Sequence, residues 1–69
     1  MDYKLTEDEQ QAVKILIDRH MITSESDAAA LVFEASDTLH FRPSIKRYNE
    51  TVAEALVRIV KTEMLSYTE

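Results

Sequence analysis

The sequence predicts an all-α fold: a small domain of three helices, two joined by a short turn and followed by a long final helix, packed as a homodimer. Apolar residues recur at helical spacing along the whole chain. Side chains suited to helix capping stand before two of the apolar stretches, and the single proline falls before the third. Because no repeat or linker interrupts the pattern, residues 1–69 are expected to form one domain.

The first helix is predicted at about residues 7–19. Thr6 followed by Glu9 has the form of a capping box, in which each side chain accepts a hydrogen bond from the other residue's amide. The chain has no glycine to end this helix. His20 or Met21 is therefore expected to turn the backbone, and histidine tolerates a positive φ better than most residues.

The second helix is predicted at about residues 25–40. Ser24 is the expected cap, and Glu25 and Asp27 lie in the first turn, where the helix dipole favours negative charge. Pro43 disfavours helical angles at the preceding residue and so ends this helix. Since proline suits a first helical turn, a third helix is predicted at about residues 44–66.

The apolar faces of these helices are wide enough to predict a homodimer. Each predicted face covers roughly 200° of its helix, whereas a surface helix needs little over 100°. A chain of this length has a marginal core, and without cysteine it has no disulfides to strengthen it. A second copy would cover the excess apolar surface. The residues predicted at that interface are Ile15, Ile17, Phe33, Ile45, Val52, Leu56, Ile59 and Val60.

Composition argues against most enzyme classes. The phosphate-binding loops and nucleophile turns of many enzymes require glycine, which is absent. The two histidines lack zinc-site spacing, and a core this small leaves little room for a substrate pocket. We expect no catalytic residues, no metal and no cofactor. The acidic N-terminus is unlike a secretory signal and no apolar run could span a membrane, which favours the cytoplasm and no membrane partner.

Charge is distributed unevenly along the chain. The net charge is −5, but residues 1–37 hold three bases and nine acids, whereas residues 38–69 hold five bases and four acids. The bases crowd in the stretch LHFRPSIKRYNE at 39–50, among aromatic residues. Residues 40–48, named here the basic corner, are the predicted partner-binding surface, and His40 would make binding pH-sensitive. The predicted binding residues are His40, Arg42, Lys46, Arg47 and Tyr48.

Two short stretches resemble known families. The segment LTEDEQQAVKIL is similar to the scaffold helix of LuxR-type and sigma-type DNA-binding domains. The next helix departs from that pattern, because Glu25 and Asp27 would face the phosphates. The helix order and the RYNE at 47–50 resemble a small enterobacterial family of biofilm and acid-resistance regulators, which are helical dimers. That family's turn glycine is absent here, and the resemblance assigns no functional residue.

These observations favour a non-enzymatic regulatory or adaptor protein that acts as a homodimer and binds another protein at the basic corner. One alternative is a dimeric nucleic-acid-binding regulator that uses the same corner twice. The other is an acidic inhibitor of the kind that some phages make, which occupies the basic groove of a nucleic-acid enzyme. The acidic residues of that second alternative are Glu7, Asp8, Glu9, Asp18, Glu25, Asp27, Glu34 and Asp37.

Overall fold

The computed structural model describes residues 4–64, which fold into three α-helices and contain no strand. The helices are α1 (Glu7–Asp18), α2 (Glu25–Phe41) and α3 (Val52–Ile59). A short 3₁₀ turn, Pro43–Ile45, follows α2, and α3 continues directly into a π-helical stretch, Val60–Met64. The predicted all-α class is confirmed.

Local signals define both ends of α1. Thr6 Oγ1 accepts a hydrogen bond from the Glu9 amide at 3.3 Å, and the Glu9 carboxylate accepts one from the Thr6 amide at 2.7 Å. After the helix, His20 has a φ of 56° and the Met21 amide donates to the Leu16 carbonyl at 3.0 Å. This is a Schellman cap with histidine in the position that glycine usually takes. Both the capping box and the turn at His20 are as predicted.

The limits of α2 also follow the sequence signals. Ser24 Oγ accepts a hydrogen bond from the Asp27 amide at 3.4 Å, which makes Ser24 the cap. The helix ends at Phe41, one residue beyond the predicted end. Arg42 has φ −131° and ψ 67°, outside the helical region, because the following Pro43 crowds its backbone.

The start of the third helix corrects the prediction. A helix from residue 44 was expected, but α3 begins at Val52, and residues 46–51 form a loop in which Lys46 is extended. Thr51 Oγ1 accepts from the Glu54 amide at 3.1 Å, and the Glu54 carboxylate accepts from the Thr51 amide at 2.9 Å. This second capping box fixes the start of α3. The predicted end at residue 66 lies outside the described residues.

The core lies between all three helices, because α3 packs against both α1 and α2. The largest fully buried side chains come from every helix and from the first π-helical residue: Leu16, Val32, Leu56, Ile59 and Val60. The sequence placed three of these, Leu56, Ile59 and Val60, at a dimer interface. They are at most 1% exposed within one chain, so they are core residues and that assignment is corrected.

The apolar face of α3 is wide because two neighbours of the same chain cover it. The width estimated from sequence also counted Ile45 and Tyr48 as helical, although both precede α3. Among the other residues predicted at a dimer interface, Phe33 is 42% exposed and Val52 is 36% exposed. Ile15, Ile17 and Ile45 are half-buried and pack against the edge of the core. These five are the predicted interface residues that a single chain leaves at least partly exposed.

Candidate functional site

Two aromatic side chains of the basic corner face solvent. Phe41 is 79% exposed and Tyr48 is fully exposed, at 103%. The His40 ring packs edge-on to Phe41, with ring centroids 5.6 Å apart. Neither ring is part of the core, so neither contributes to the packing of the three helices. The corner therefore offers aromatic surface that a partner could bury.

The basic side chains of the corner make few internal contacts. Arg42 lies 3.9 Å from Glu63, and both side chains are largely exposed, so this ion pair stabilises the fold by at most about 1 kcal/mol. Lys46 donates one hydrogen bond from Nζ to the Arg47 carbonyl at 3.2 Å. The charges of Arg42, Lys46 and Arg47 thus remain accessible to an acidic group.

A Glu50–Arg58 ion pair ties the loop after the corner to α3. Arg58 donates from Nε and Nη2 to the two carboxylate oxygens of Glu50 at 3.0 and 2.7 Å. The same Nη2 donates to the Ile45 carbonyl at 2.7 Å. Glu50 also accepts a hydrogen bond from the Arg47 amide at 2.8 Å. One carboxylate and one guanidinium therefore fix the backbone at both ends of residues 45–50.

This contact changes the acidity of the carboxyl group. The Arg58 hydrogen bonds, followed by the one from the Arg47 amide, lower the pKa of Glu50 from 4.5 to about 2. The Glu50 side chain is 13% exposed, but the pair lies near the surface of the chain, where water screens it in part. Glu50 remains a carboxylate through the whole physiological range, which suits a structural role in holding the loop.

The loop brings Arg47 to a cleft between α1 and α3. This cleft, named here the basic groove, has a volume of about 410 Å³. Four bases and two acids line it, which gives a net charge of +2 on a chain whose total is −5. The charged residues of the groove are Arg19, Arg47, Arg58, Lys61, Glu50 and Glu54.

Only one predicted binding residue takes part in this groove. Arg47 lines it, whereas His40, Arg42, Lys46 and Tyr48 do not. The other bases of the groove, which were not predicted from the sequence, come from the end of α1 and from the C-terminal part of the chain. Arg58 and Lys61 stand three positions apart, a spacing that places both on one helix face and that could have drawn attention to them. Arg19 is distant in sequence, and only the packing of α1 on α3 brings it near.

Comparison with protein-family models, curated proteins and solved structures found no match to this chain.

The acidic residues of the first half lie mostly on the surface. Glu9 is the exception, because it is 7% exposed and serves the cap of α1. The other acidic residues of α1 and α2 are exposed: Glu7, Asp8, Asp18, Glu25, Asp27, Glu34 and Asp37. Their use as a binding face stays a prediction.

Within residues 4–64, no three side chains of His, Cys, Asp or Glu come together as metal ligands would. None of the helices in the same range has both the length and the apolar character needed to cross a bilayer.

Proposed function

We propose that the protein is a small, non-enzymatic, cytoplasmic regulatory or adaptor protein that binds an acidic segment of another protein at its basic corner. The observation that supports this proposal is the exposure of Phe41 and Tyr48 beside Arg42, Lys46 and Arg47. Aromatic and arginine side chains contribute most of the energy in many protein interfaces. Covering an exposed aromatic ring contributes about 1.5–3 kcal/mol.

A selection from a random library of short peptides tests this proposal. We expect the wild-type protein to enrich sequences that combine Asp or Glu with apolar residues. The double variant Phe41→Ser/Tyr48→Ser should lose that enrichment, because it removes the apolar surface and leaves the charges. The Lys4→Gln/Lys14→Gln variant is the control, since both side chains are exposed and lie outside the corner and the predicted dimer surface. Enrichment of basic or uncharged peptides, or an unchanged profile for the double variant, would contradict the proposal.

The same exposed rings favour single-stranded nucleic acid as the second candidate partner. Nucleic-acid bases stack on aromatic side chains, and arginines beside them contact phosphates. Phosphate binding weakens steeply between about 50 and 200 mM salt, whereas a largely apolar protein contact does not. If neither single-stranded nor duplex probes are retarded in a gel at low salt, this candidate is eliminated.

Homodimer formation is the other part of the proposal. Pairing would bury Phe33 and Val52, which are exposed, together with the edges of Ile17 and Ile45, whereas Ile15 lines the basic groove. Sedimentation equilibrium should then detect a species of twice the 8.0 kDa chain mass at tens of micromolar protein. Phe33→Ser should shift that species toward the monomer. A wild-type chain that sediments at 8.0 kDa under these conditions is not a dimer.

A further inference from the structure

We infer that the basic groove binds an acidic peptide segment, with its carboxylates on Arg19, Arg47 and Lys61 and one of its apolar side chains against Ile15 and Val57. The inference rests on the proposed function, in which the partner is an acidic protein segment, and it specifies where that segment lies. Arg47 belongs to both the corner and the groove. A peptide segment bound at the corner can therefore contact Arg47 and continue into the groove.

The cations of the groove differ in how far they are already neutralised. Arg58 is committed to the Glu50 carboxylate at 2.7 Å, and the Glu54 carboxylate is committed to the Thr51 amide at 2.9 Å. Within residues 4–64, the side chains of Arg19, Arg47 and Lys61 form no ion pair, although the Arg47 charge acts on Glu50 at longer range and helps to lower its pKa. Three cations from three separate parts of the chain therefore line one cleft without an ion pair of their own.

The remaining lining gives the groove an apolar part. Ile15 of α1 is half-buried and Val57 of α3 is 5% exposed, and both contact the cleft. An aliphatic side chain placed there would lose its contact with water while neighbouring carboxylates reach the three cations. Charge-assisted hydrogen bonds from arginine to carboxylate are among the strongest polar contacts in proteins.

The same features disfavour a nucleic-acid strand in this groove. Proteins that bind the phosphate backbone tightly make about 6–10 phosphate contacts, and the groove offers only three cations that are outside an ion pair. Glu50 and Glu54 also line the groove and would repel a continuous row of phosphates. A peptide avoids this repulsion because its charges are separated by neutral residues.

The test measures binding of a fluorescent synthetic peptide of alternating glutamate and leucine to the full-length protein by fluorescence anisotropy. Three variants each remove two positive charges: Arg19→Gln/Lys61→Gln in the groove, Arg42→Gln/Lys46→Gln in the corner, and Lys4→Gln/Lys14→Gln elsewhere. All six side chains lie outside the buried core, so the variants should remain folded, which circular dichroism and thermal unfolding will check.

We expect the groove variant to bind the peptide about tenfold more weakly than the variant at Lys4 and Lys14, a loss of about 1.4 kcal/mol that the two removed contacts share. Replacing leucine by serine in the peptide should weaken binding to the wild-type protein as well.

If the groove variant matches the Lys4 and Lys14 variant while the corner variant binds weakly, the inference fails and the proposed function stands. If a single-stranded oligonucleotide binds more tightly than the peptide, and groove substitutions abolish that binding, the groove is a nucleic-acid site. If the wild-type protein does not bind the peptide at millimolar concentration, and peptide selection enriches no acidic sequences, both proposals fail.

Discussion

Replacing Glu50 by glutamine removes the charge that holds the loop at residues 45–50 and leaves a side chain of nearly the same size. The ordinary carboxyl pKa of 4.5 falls to about 2 in the folded chain, and a difference of this size corresponds to about 3 kcal/mol of folding free energy. The side chain is 13% exposed and the pair lies near the surface, so screening reduces the expected loss to about 2 kcal/mol at about pH 7.

The dependence on pH follows from the direction of this shift. Since the folded-state pKa lies below the unfolded value, the stabilisation is complete above 4.5 and is lost as the pH falls toward 2. Urea unfolding of the wild type and of Glu50→Gln should therefore differ by about 2 kcal/mol near neutrality and converge in acid. A difference that stays constant down to about pH 2 would refute the assignment of this carboxylate as the stabilising charge.

A control variant separates this effect from a general loss of negative charge. Glu63→Gln removes a carboxylate that is 42% exposed and lies 3.9 Å from Arg42. Its unfolding free energy should stay within about 0.5 kcal/mol of the wild type, as is usual for exposed pairs. If both variants lose the same unfolding free energy, the hydrogen bonds of Glu50 stabilise the fold no more than an exposed ion pair does.

Three further substitutions test the fold. His20→Gly should raise the unfolding free energy by about 0.5–1 kcal/mol and His20→Val should lower it by about 1 kcal/mol, because the backbone φ at this position is positive; equal values in urea unfolding would contradict that conformation. Thr51→Ala should cost about 1 kcal/mol by removing the cap of α3, measured by thermal unfolding, and no loss would mean that the helix starts elsewhere. Leu56→Ala should cost about 2–5 kcal/mol by leaving a cavity, at every protein concentration. A cost that grows as the protein is concentrated would instead place Leu56 between two copies.

The sequence predicts the helix starts where a local signal is sufficient. Thr6 with Glu9, and Ser24 ahead of α2, act through neighbours within one turn, so no tertiary information is needed to recognise them. Thr51 with Glu54 is the same signal, but the prediction passed over it. Ile45, Tyr48 and Val52 have helical spacing by coincidence, and that spacing suggested a continuous helix.

Tertiary packing accounts for what the sequence could not predict. An apolar face on α3 has the same width whether it meets a second copy or two helices of its own chain, so Leu56 was placed at the wrong surface. The basic groove depends on Arg19, which follows α1, lying near Lys61, which follows α3. The helical spacing within each of these two segments gives no information about the distance between them. The cluster of bases around Arg47, in contrast, can be read directly from the sequence.

The exposed rings of Phe41 and Tyr48 also affect how the free protein behaves at high concentration. Such rings adhere to one another when molecules collide, and mutual repulsion between chains of net charge −5 opposes that adhesion. Around the isoelectric point of 4.9 the repulsion vanishes while the rings stay uncovered. Colloidal stability is therefore lowest in mildly acidic buffer, where the helices themselves still keep their stabilising carboxylate.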